Sequence, residues 1–244
     1  MSTMPKFLIL WGDGINCENE TAQAVELAGG EATKVHINEL LRSPKSLHAY
    51  QAMVFPGGFS FGDHLGSGQI LALKLENNLK EELKEFVKNK PVLGICNGFQ
   101  TMIRLGLLPN ADFQRTCALV KNEQGHFIDR WVPLKTNKNS PCVWTRNLPE
   151  EIHLPIRHGE GRFVCQDEVT LQQLIENNQV ALRYTENVNG ATAQIAGVCD
   201  PSGLVFALMP HPEAAVHDWH LPYVGKAVGL EFFKNAVSYL RSLS

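Results

Sequence analysis

In the stretch G-I-C-N-G, residues 94–98, a cysteine stands between two glycines, directly after an apolar run and directly before a helical pattern. A Gly-x-nucleophile-x-Gly pattern lets backbone pass close to the corner where a strand turns sharply into a helix, and it holds the central residue exposed in a strained conformation. Cys96 at such a corner faces the amino end of the following helix, whose free N–H groups and dipole favour thiolate over thiol. Asn97, the next residue, can present its main-chain N–H to an oxyanion. The same letters also fit a cysteine buried in an apolar strand, with the glycines kept for packing.

Two other segments carry residues that complete such chemistry. In M-P-H-P-E, residues 209–213, the prolines hold the chain extended, so His211 and Glu213 at i and i+2 project to the same side. A carboxylate beside an imidazole is what orients a general base. A His and a Glu between prolines are unremarkable alone; they gain weight beside a cysteine corner. In V-F-P-G-G-F-S-F-G-D-H-L-G-S-G, residues 54–68, five of fifteen positions are glycine. Gly57 and Gly58 allow main-chain N–H groups to point at an oxyanion or a substrate carboxylate. No G-K-[ST] closes this loop, which sets it apart from a nucleotide phosphate loop. Phe59 and Phe61 suit the packed wall of a site better than a flexible surface loop.

Cys17 competes with Cys96, because W-G-D-G-I-N-C-E-N-E also runs from an apolar stretch through glycines towards a helix. Asp13, Glu18 and Glu20 surround it in sequence, and nearby carboxylates oppose ionisation of a thiol. Cys17 is therefore expected to be a structural or rim residue that helps to cap its helix with Asn16. The other cysteines (117, 142, 165, 199) form no C-x-x-C and no Cys/His pair at zinc spacing, so neither a disulfide framework nor a metal site is expected. His217 and His220 have helical spacing but no third ligand, which favours a surface position.

The elements that must position these groups alternate. Apolar runs at 7–11, 35–37, 52–55 and 92–95 interleave with helical periodicity at 20–28 and 79–87. Strand-helix alternation implies a doubly wound, mostly parallel sheet of flavodoxin-like type, covered on both faces. From residue 112 the texture changes to β-branched and aromatic pieces at 116–120, 126–133, 142–145, 180–184 and 195–209, the last broken by the turn D-P-S-G at 200–203. A closing helix is expected over 225–240. With no linker-like segment or repeat, the expectation is one α/β domain, 1–244, with an antiparallel β extension. In open sheets of this kind ligands sit beyond the carboxyl ends of the strands, where the three loops emerge.

The composition, 44% hydrophobic and 19% charged, suits a globular chain with a sizeable core. A net charge of −3 without basic runs gives no electrostatic reason to expect nucleic acid or a membrane surface as partner. The opening F-L-I-L-W is too short for a signal peptide or a membrane span and reads as the first strand of a cytoplasmic protein.

Taken in order, P-G-G-F-S, G-x-C-N-G-x-Q and H-P-E resemble the triad class of glutamine amidotransferases. Together with G-I-N-C-E and H-G-E-G-R-F at 158–163, they are similar to the glutaminase subunits of phosphoribosylformylglycinamidine synthases, over about residues 6–240. The resemblance implies that Cys96 attacks the side-chain amide of L-glutamine, with His211 and Glu213 completing the triad. It implies that Gly57, Gly58 and Asn97 hold the oxyanion and that Gln100 helps to hold the substrate. It implies no cofactor in this subunit, ATP and Mg being used by a separate synthetase subunit, with a small bridging subunit as a possible third member. Two features stay open: whether the 158–163 loop serves the glutamine pocket or the partner interface, and how docking is affected by Gly66, where many stand-alone members carry arginine. Another cysteine hydrolase of the same sheet type, a glutaminase for another synthetase and a non-catalytic binding subunit are the alternatives.

Overall fold

The computed structural model describes residues 4–243. In chain order its strands are β1 (Lys6–Trp11), β2 (Glu31–His36), β3 (Ala52–Phe55), β4 (Val92–Ile95), β5 (Cys117–Val120), β6 (Ile128–Thr136), β7 (Glu151–His158), β8 (Arg162–Cys165), β9 (Val180–Tyr184), β10 (Ile195–Cys199) and β11 (Val205–Leu208). The α-helices are α1 (Glu18–Leu27), α2 (Ile37–Arg42), α3 (Gln69–Val87), α4 (Asn97–Leu105), α5 (Glu168–Glu176) and α6 (Gly229–Ser242).

Strands β3, β4 and β11 are buried at every position, because a parallel strand covered on both faces needs an unbroken apolar run. The main sheet has the order β2-β1-β3-β4-β11-β10-β9-β6-β7. Its first five members pair in parallel, and the others pair antiparallel. The parallel part has the doubly wound order 2-1-3-4-5, with β11 in the fifth place. β5 and β8 form a separate antiparallel ribbon. One apolar cluster runs through both parts, from Phe7 and Val54 to Leu134, Ile156 and Phe232.

The hairpin expected at 195–209 joins the two regimes. β10 and β11 pair antiparallel across a turn at Asp200, whose carboxylate accepts hydrogen bonds from Ser202 N, Ser202 Oγ and Val205 N. β11 then lies parallel to β4 in the register Leu208↔Ile95. This register sets the ends of β4 and β11 side by side.

Several expected boundaries move. The periodicity at 79–87 is the second half of α3, whose Leu71, Leu75, Leu79, Leu83 and Phe86 continue one buried stripe. The run at 35–37 is the end of the longer β2, and residue 37 opens α2. The closing helix begins at Gly229 rather than 225. The piece at 142–145 is a 3-10 turn and not a strand. Its Trp144 is drawn inward, donating its indole N–H to the Leu204 carbonyl, while Asn235 donates to the Trp144 carbonyl.

At the β4–α4 corner the backbone of Gly98 crosses β3 so closely that an added Cβ would lie 2.0 Å from the Phe55 carbonyl oxygen. That contact is with backbone and cannot be relieved by a side-chain rotation. Gly98→Ala is expected to destabilise the fold by about 2 kcal/mol or more, read as a lower denaturant midpoint. An unchanged midpoint would show that the corner does not depend on this approach.

Candidate functional site

Cys96 occupies the corner itself, with φ 52° and ψ −105°, a conformation that costs about 1–3 kcal/mol in a non-glycine residue. Its N–H is held by the Leu208 carbonyl (2.9 Å), and its own carbonyl accepts from Gln100 N (3.0 Å). Its Sγ lies 3.5 Å from the Arg157 carbonyl oxygen. One residue beyond β4, the thiol stands at the amino end of α4, where the helix dipole favours negative charge.

His211 emerges three residues beyond the neighbouring β11, and its N–H is fixed by the Pro155 carbonyl (2.8 Å). Pro212 then turns the chain into a short 3-10 segment that brings Glu213 back beneath the ring. The Nδ1–Oε1 distance is 2.5 Å and both side chains are buried. Burial alone would lower the imidazole pKa, but the Glu213 carboxylate and the Cys96 and Cys17 sulphurs outweigh it, so the pKa is raised well above the ordinary histidine value. Nε2 is buried and has no hydrogen-bond partner among the described residues. Nδ1–H is thus committed to the carboxylate, and Nε2 is left for a reacting group.

Arg157, on β7, is a member of the site that sequence reasoning missed. Its Nη2 lies 3.2 Å from His211 Nδ1, 3.7 Å from Glu213 Oε1 and 3.9 Å from Cys17 Sγ. A guanidinium could donate to Nδ1 only if that nitrogen carried a lone pair. The shorter contact to a carboxylate places the proton there, and Arg157 then acts on the Glu213 charge. The only signal for it was a position one residue before H-G-E-G-R-F, in a stretch whose strand pattern Pro155 interrupts.

Gly57 and Gly58 lie against the same groups. An added Cβ at Gly57 would come 2.8 Å from His211 Cε1. Gly58 has φ +145° and lies in a bridge with Ile15. The bonds of this crossing use the Gly57 carbonyl and the Phe59 N–H, not the Gly58 N–H. Cys96, His211, Gly58 and Arg157 line one small cavity with Asn16, Cys17, Phe59 and Phe127. Phe59 and Phe127 meet at 6.2 Å as its wall. Phe61 does not line it; that ring packs against the core, with Lys74 Nζ 5.3 Å from its centre.

Cys17 requires a correction. It lines the cavity rather than the rim, and it stands at the N-cap of α1 without a side-chain capping bond. Its thiol pKa is raised by burial first and then by Glu213, against the opposing effects of His211 and Arg157, and not by its acidic neighbours in sequence. Cys17, His211 and Glu213 place possible metal-ligand atoms within 4.8 Å of one another. The 2.5 Å His–Glu contact is a hydrogen-bond spacing, and Arg157 already brings a cation to this focus. His217 and His220 lie near the surface with Trp219, their rings 5.2 Å apart.

Asn97 and Gln100 have side chains that hold loops. Asn97 Oδ1 accepts from Ser60 N, and its Nδ2 donates to Asp63 and to Gln100 Oε1. Gln100 does not line the cavity of Cys96 and His211; its Nε2 donates to the Glu160 carbonyl (2.7 Å), which ties α4 to the 158–163 loop. Asn122 clamps that loop from below, bonded to His158 Nδ1, to the His158 carbonyl and to Gly161 N. Burial, followed by the nearby His211 charge, lowers the His158 pKa to about 4. Gly66 has φ +106°, and an added Cβ would lie 2.7 Å from an Arg104 nitrogen. A larger residue there would displace Arg104 from its bonds to the Ser67 carbonyl and Gln69.

The family described as CobB/CobQ-like glutamine amidotransferase domain matches residues 4–240. Phosphoribosylformylglycinamidine synthase subunit PurQ of Methanococcus maripaludis strain S2 is 43% identical, with 98% of each chain covered. The subunit of the same name from Treponema denticola is 40% identical over 86% of this chain and 87% of its own. A chain in the structure of PurLQS from Thermotoga maritima superposes with a TM-score of 0.78 at 34% identity, covering 98% of this chain and 100% of that one. A putative GMP synthase subunit from Thermoplasma acidophilum has a TM-score of 0.64 at 17% identity, with 99% and 96% covered, and shows the fold alone.

Two titrations test this geometry. In Glu213→Gln the attraction that holds the His211 proton is lost and burial is opposed less, so the ring's pKa should fall. An NMR titration unmoved by the substitution would contradict the pairing. His158 is held neutral in the fold, with its pKa depressed from 6.5 to about 4. The unfolded chain then binds the extra proton between those values, so stability is complete above pH 6.5 and is lost as pH falls towards 4. About 3 kcal/mol is at stake, and His158→Gln should flatten that part of the stability–pH curve.

Proposed function

We infer the reaction from one premise: this chain belongs to the CobB/CobQ-like glutamine amidotransferase family, which matches residues 4–240. Within it, the chain is the glutaminase subunit of phosphoribosylformylglycinamidine synthase. It hydrolyses the side-chain amide of L-glutamine and supplies ammonia to a separate synthetase subunit. That subunit converts formylglycinamide ribonucleotide to formylglycinamidine ribonucleotide in purine biosynthesis. Relatives named as this subunit, at 40–43% identity over 86–98% of this chain, support the assignment, as does the PurLQS structure, which also supports a third subunit beside the synthetase.

The site residues divide the work between them. Cys96 gives its proton to His211 Nε2 and attacks the glutamine amide carbon. The carbonyl electrons move onto oxygen, where the Gly57, Gly58 and Asn97 main-chain N–H groups stabilise the charge. Losing one such donor typically raises a barrier by about 3 kcal/mol. Imidazolium returns the proton to the amide nitrogen, the C–N bond breaks, and ammonia leaves behind a glutamyl thioester. Water, activated by the same imidazole, releases glutamate and restores the thiol.

The observation that carries this reading is the pairing of a strained Cys96 with a buried His211 whose Nδ1 is committed to Glu213. Gln100 acts by holding the Glu160 segment in place. The subunit requires no cofactor of its own, and ATP and Mg belong to the synthetase. No described helix is long and apolar enough to cross a membrane, and a cytoplasmic location accompanies a purine-biosynthetic role.

Cys96→Ala in the assembled synthase should lower glutamine-dependent synthesis by at least a thousandfold, while synthesis from added ammonium salt stays at the parent rate. Retained glutamine-dependent synthesis would remove Cys96 from the chemistry. Loss of both activities would point to a role in assembly.

A further inference from the structure

The small β5–β8 ribbon holds a second sulphur pair that the triad does not use. Cys117 stands directly opposite Cys165 in its register. The next pair out, Thr116 and Gln166, is joined by a Gln166 N–H to Thr116 carbonyl bond of 2.8 Å. Hydrogen-bonded and non-hydrogen-bonded pairs alternate along an antiparallel ladder, so Cys117 and Cys165 occupy a non-hydrogen-bonded pair. There facing Cα atoms approach to about 4.5 Å, within the range of roughly 4.4–6.8 Å that a disulfide spans. The two Sγ atoms are 3.8 Å apart. Side-chain rotation alone can bring them to a bond of about 2.05 Å, with the strand register unchanged.

Access and charge give the two thiols different roles. Cys165 is the one cysteine of the six that is not buried. Its pKa is lowered by the Cys117 thiol, which hydrogen-bonds to it, against burial and the charges of Asp167 and Glu168. The same contact, followed by burial, pushes the Cys117 thiol up. An oxidant therefore meets the more accessible Cys165 sulphur first and finds the Cys117 thiol beside it. Cys142 and Cys199 also interact, but both are fully buried and form an internal control.

We propose that Cys117 and Cys165 form an oxidation-sensitive dithiol that hydrogen peroxide closes to a disulfide. The Cys165 thiolate attacks one peroxide oxygen, the O–O bond breaks, and the departing hydroxide takes a proton to become water. The sulfenic acid on Cys165 is then attacked by the Cys117 sulphur, which gives up its proton. The S–O bond breaks, and a second water leaves. Two thiols lose two electrons in total and one peroxide gains them. Disulfides of this kind in reducing compartments are transient and sensory rather than structural.

The ribbon's position gives the bond a consequence for the loop above it. β8 begins directly after the turn that Asn122 and Gln100 hold, and Phe163 of β8 stacks on Phe99 of α4 at 6.1 Å. The disulfide would fix the strand that leaves this loop.

The test treats the intact chain with hydrogen peroxide, quenches the oxidant, unfolds the chain in denaturant to block the remaining thiols and maps non-reduced tryptic peptides by mass spectrometry. Cys117 lies alone in peptide 116–121 and Cys165 alone in 163–183. The expected result is a 116–121/163–183 cross-link, two hydrogen masses below the sum of its parts, reversed by dithiothreitol and formed while Cys142 and Cys199 still accept the blocking reagent. Cys165→Ser should abolish the cross-link and leave Cys117 open to the reagent. In Cys117→Ser, Cys165 should instead be trapped as a sulfenic acid by a dimedone probe. The proposal is overturned if no such link has formed when half of Cys96 is oxidised, or if Cys117 and Cys142 oxidise at equal rates.

Discussion

The parallel pairing of β4 with β11 is the constraint on which the site depends. Ile95 and Leu208 sit at the same level of the sheet, so the residues just beyond them emerge together although they are far apart in sequence. The Cys96 N–H then completes the ladder onto the Leu208 carbonyl. A slip of one residue in this register would turn side chains to the opposite face and part thiol from imidazole. On its other side β11 is held against β10 by the Asp200 turn. The antiparallel extension therefore anchors the strand that leads to His211.

Local environment then distinguishes the two sulphurs that line the His211 cavity. Cys17 and Cys96 each stand at the start of a helix, so the dipole alone does not choose between them. Burial and Glu213 hold the Cys17 thiol in its protonated form. Cys96 is the one placed at a strained corner, where strand and helix meet. Arg157 adds a positive charge beside Glu213 at the cavity wall. The carboxylate thus serves two cations, one fixed on β7 and one formed when His211 takes a proton.

Much of the site was legible in the sequence because its main parts are local motifs at strand ends. G-I-C-N-G, P-G-G-F and H-P-E each fix their own backbone geometry through glycine or proline. What could not be read depends on tertiary placement. β7 was hidden by Pro155, which an edge strand tolerates because its outer N–H row has no ladder to complete. With β7 went Arg157 and the Asn122 clamp beneath His158. The place of Cys17 is not legible in the sequence because its burial, and after it the Glu213 carboxylate almost two hundred residues away, come from tertiary packing. The segment at 142–145 has strand-like letters but turns inward to bury Trp144 under α6.

The central claim is that Cys96, and not Cys17, is the nucleophile towards glutamine. The direct measurement is mass spectrometry of the protein after reaction with an electrophilic glutamine analogue, with the modified peptide sequenced. The account predicts one adduct per chain on Cys96, suppressed by excess L-glutamine and slowed when His211 is replaced by asparagine. An adduct on Cys17, or labelling of Cys96 that glutamine does not suppress, would contradict it.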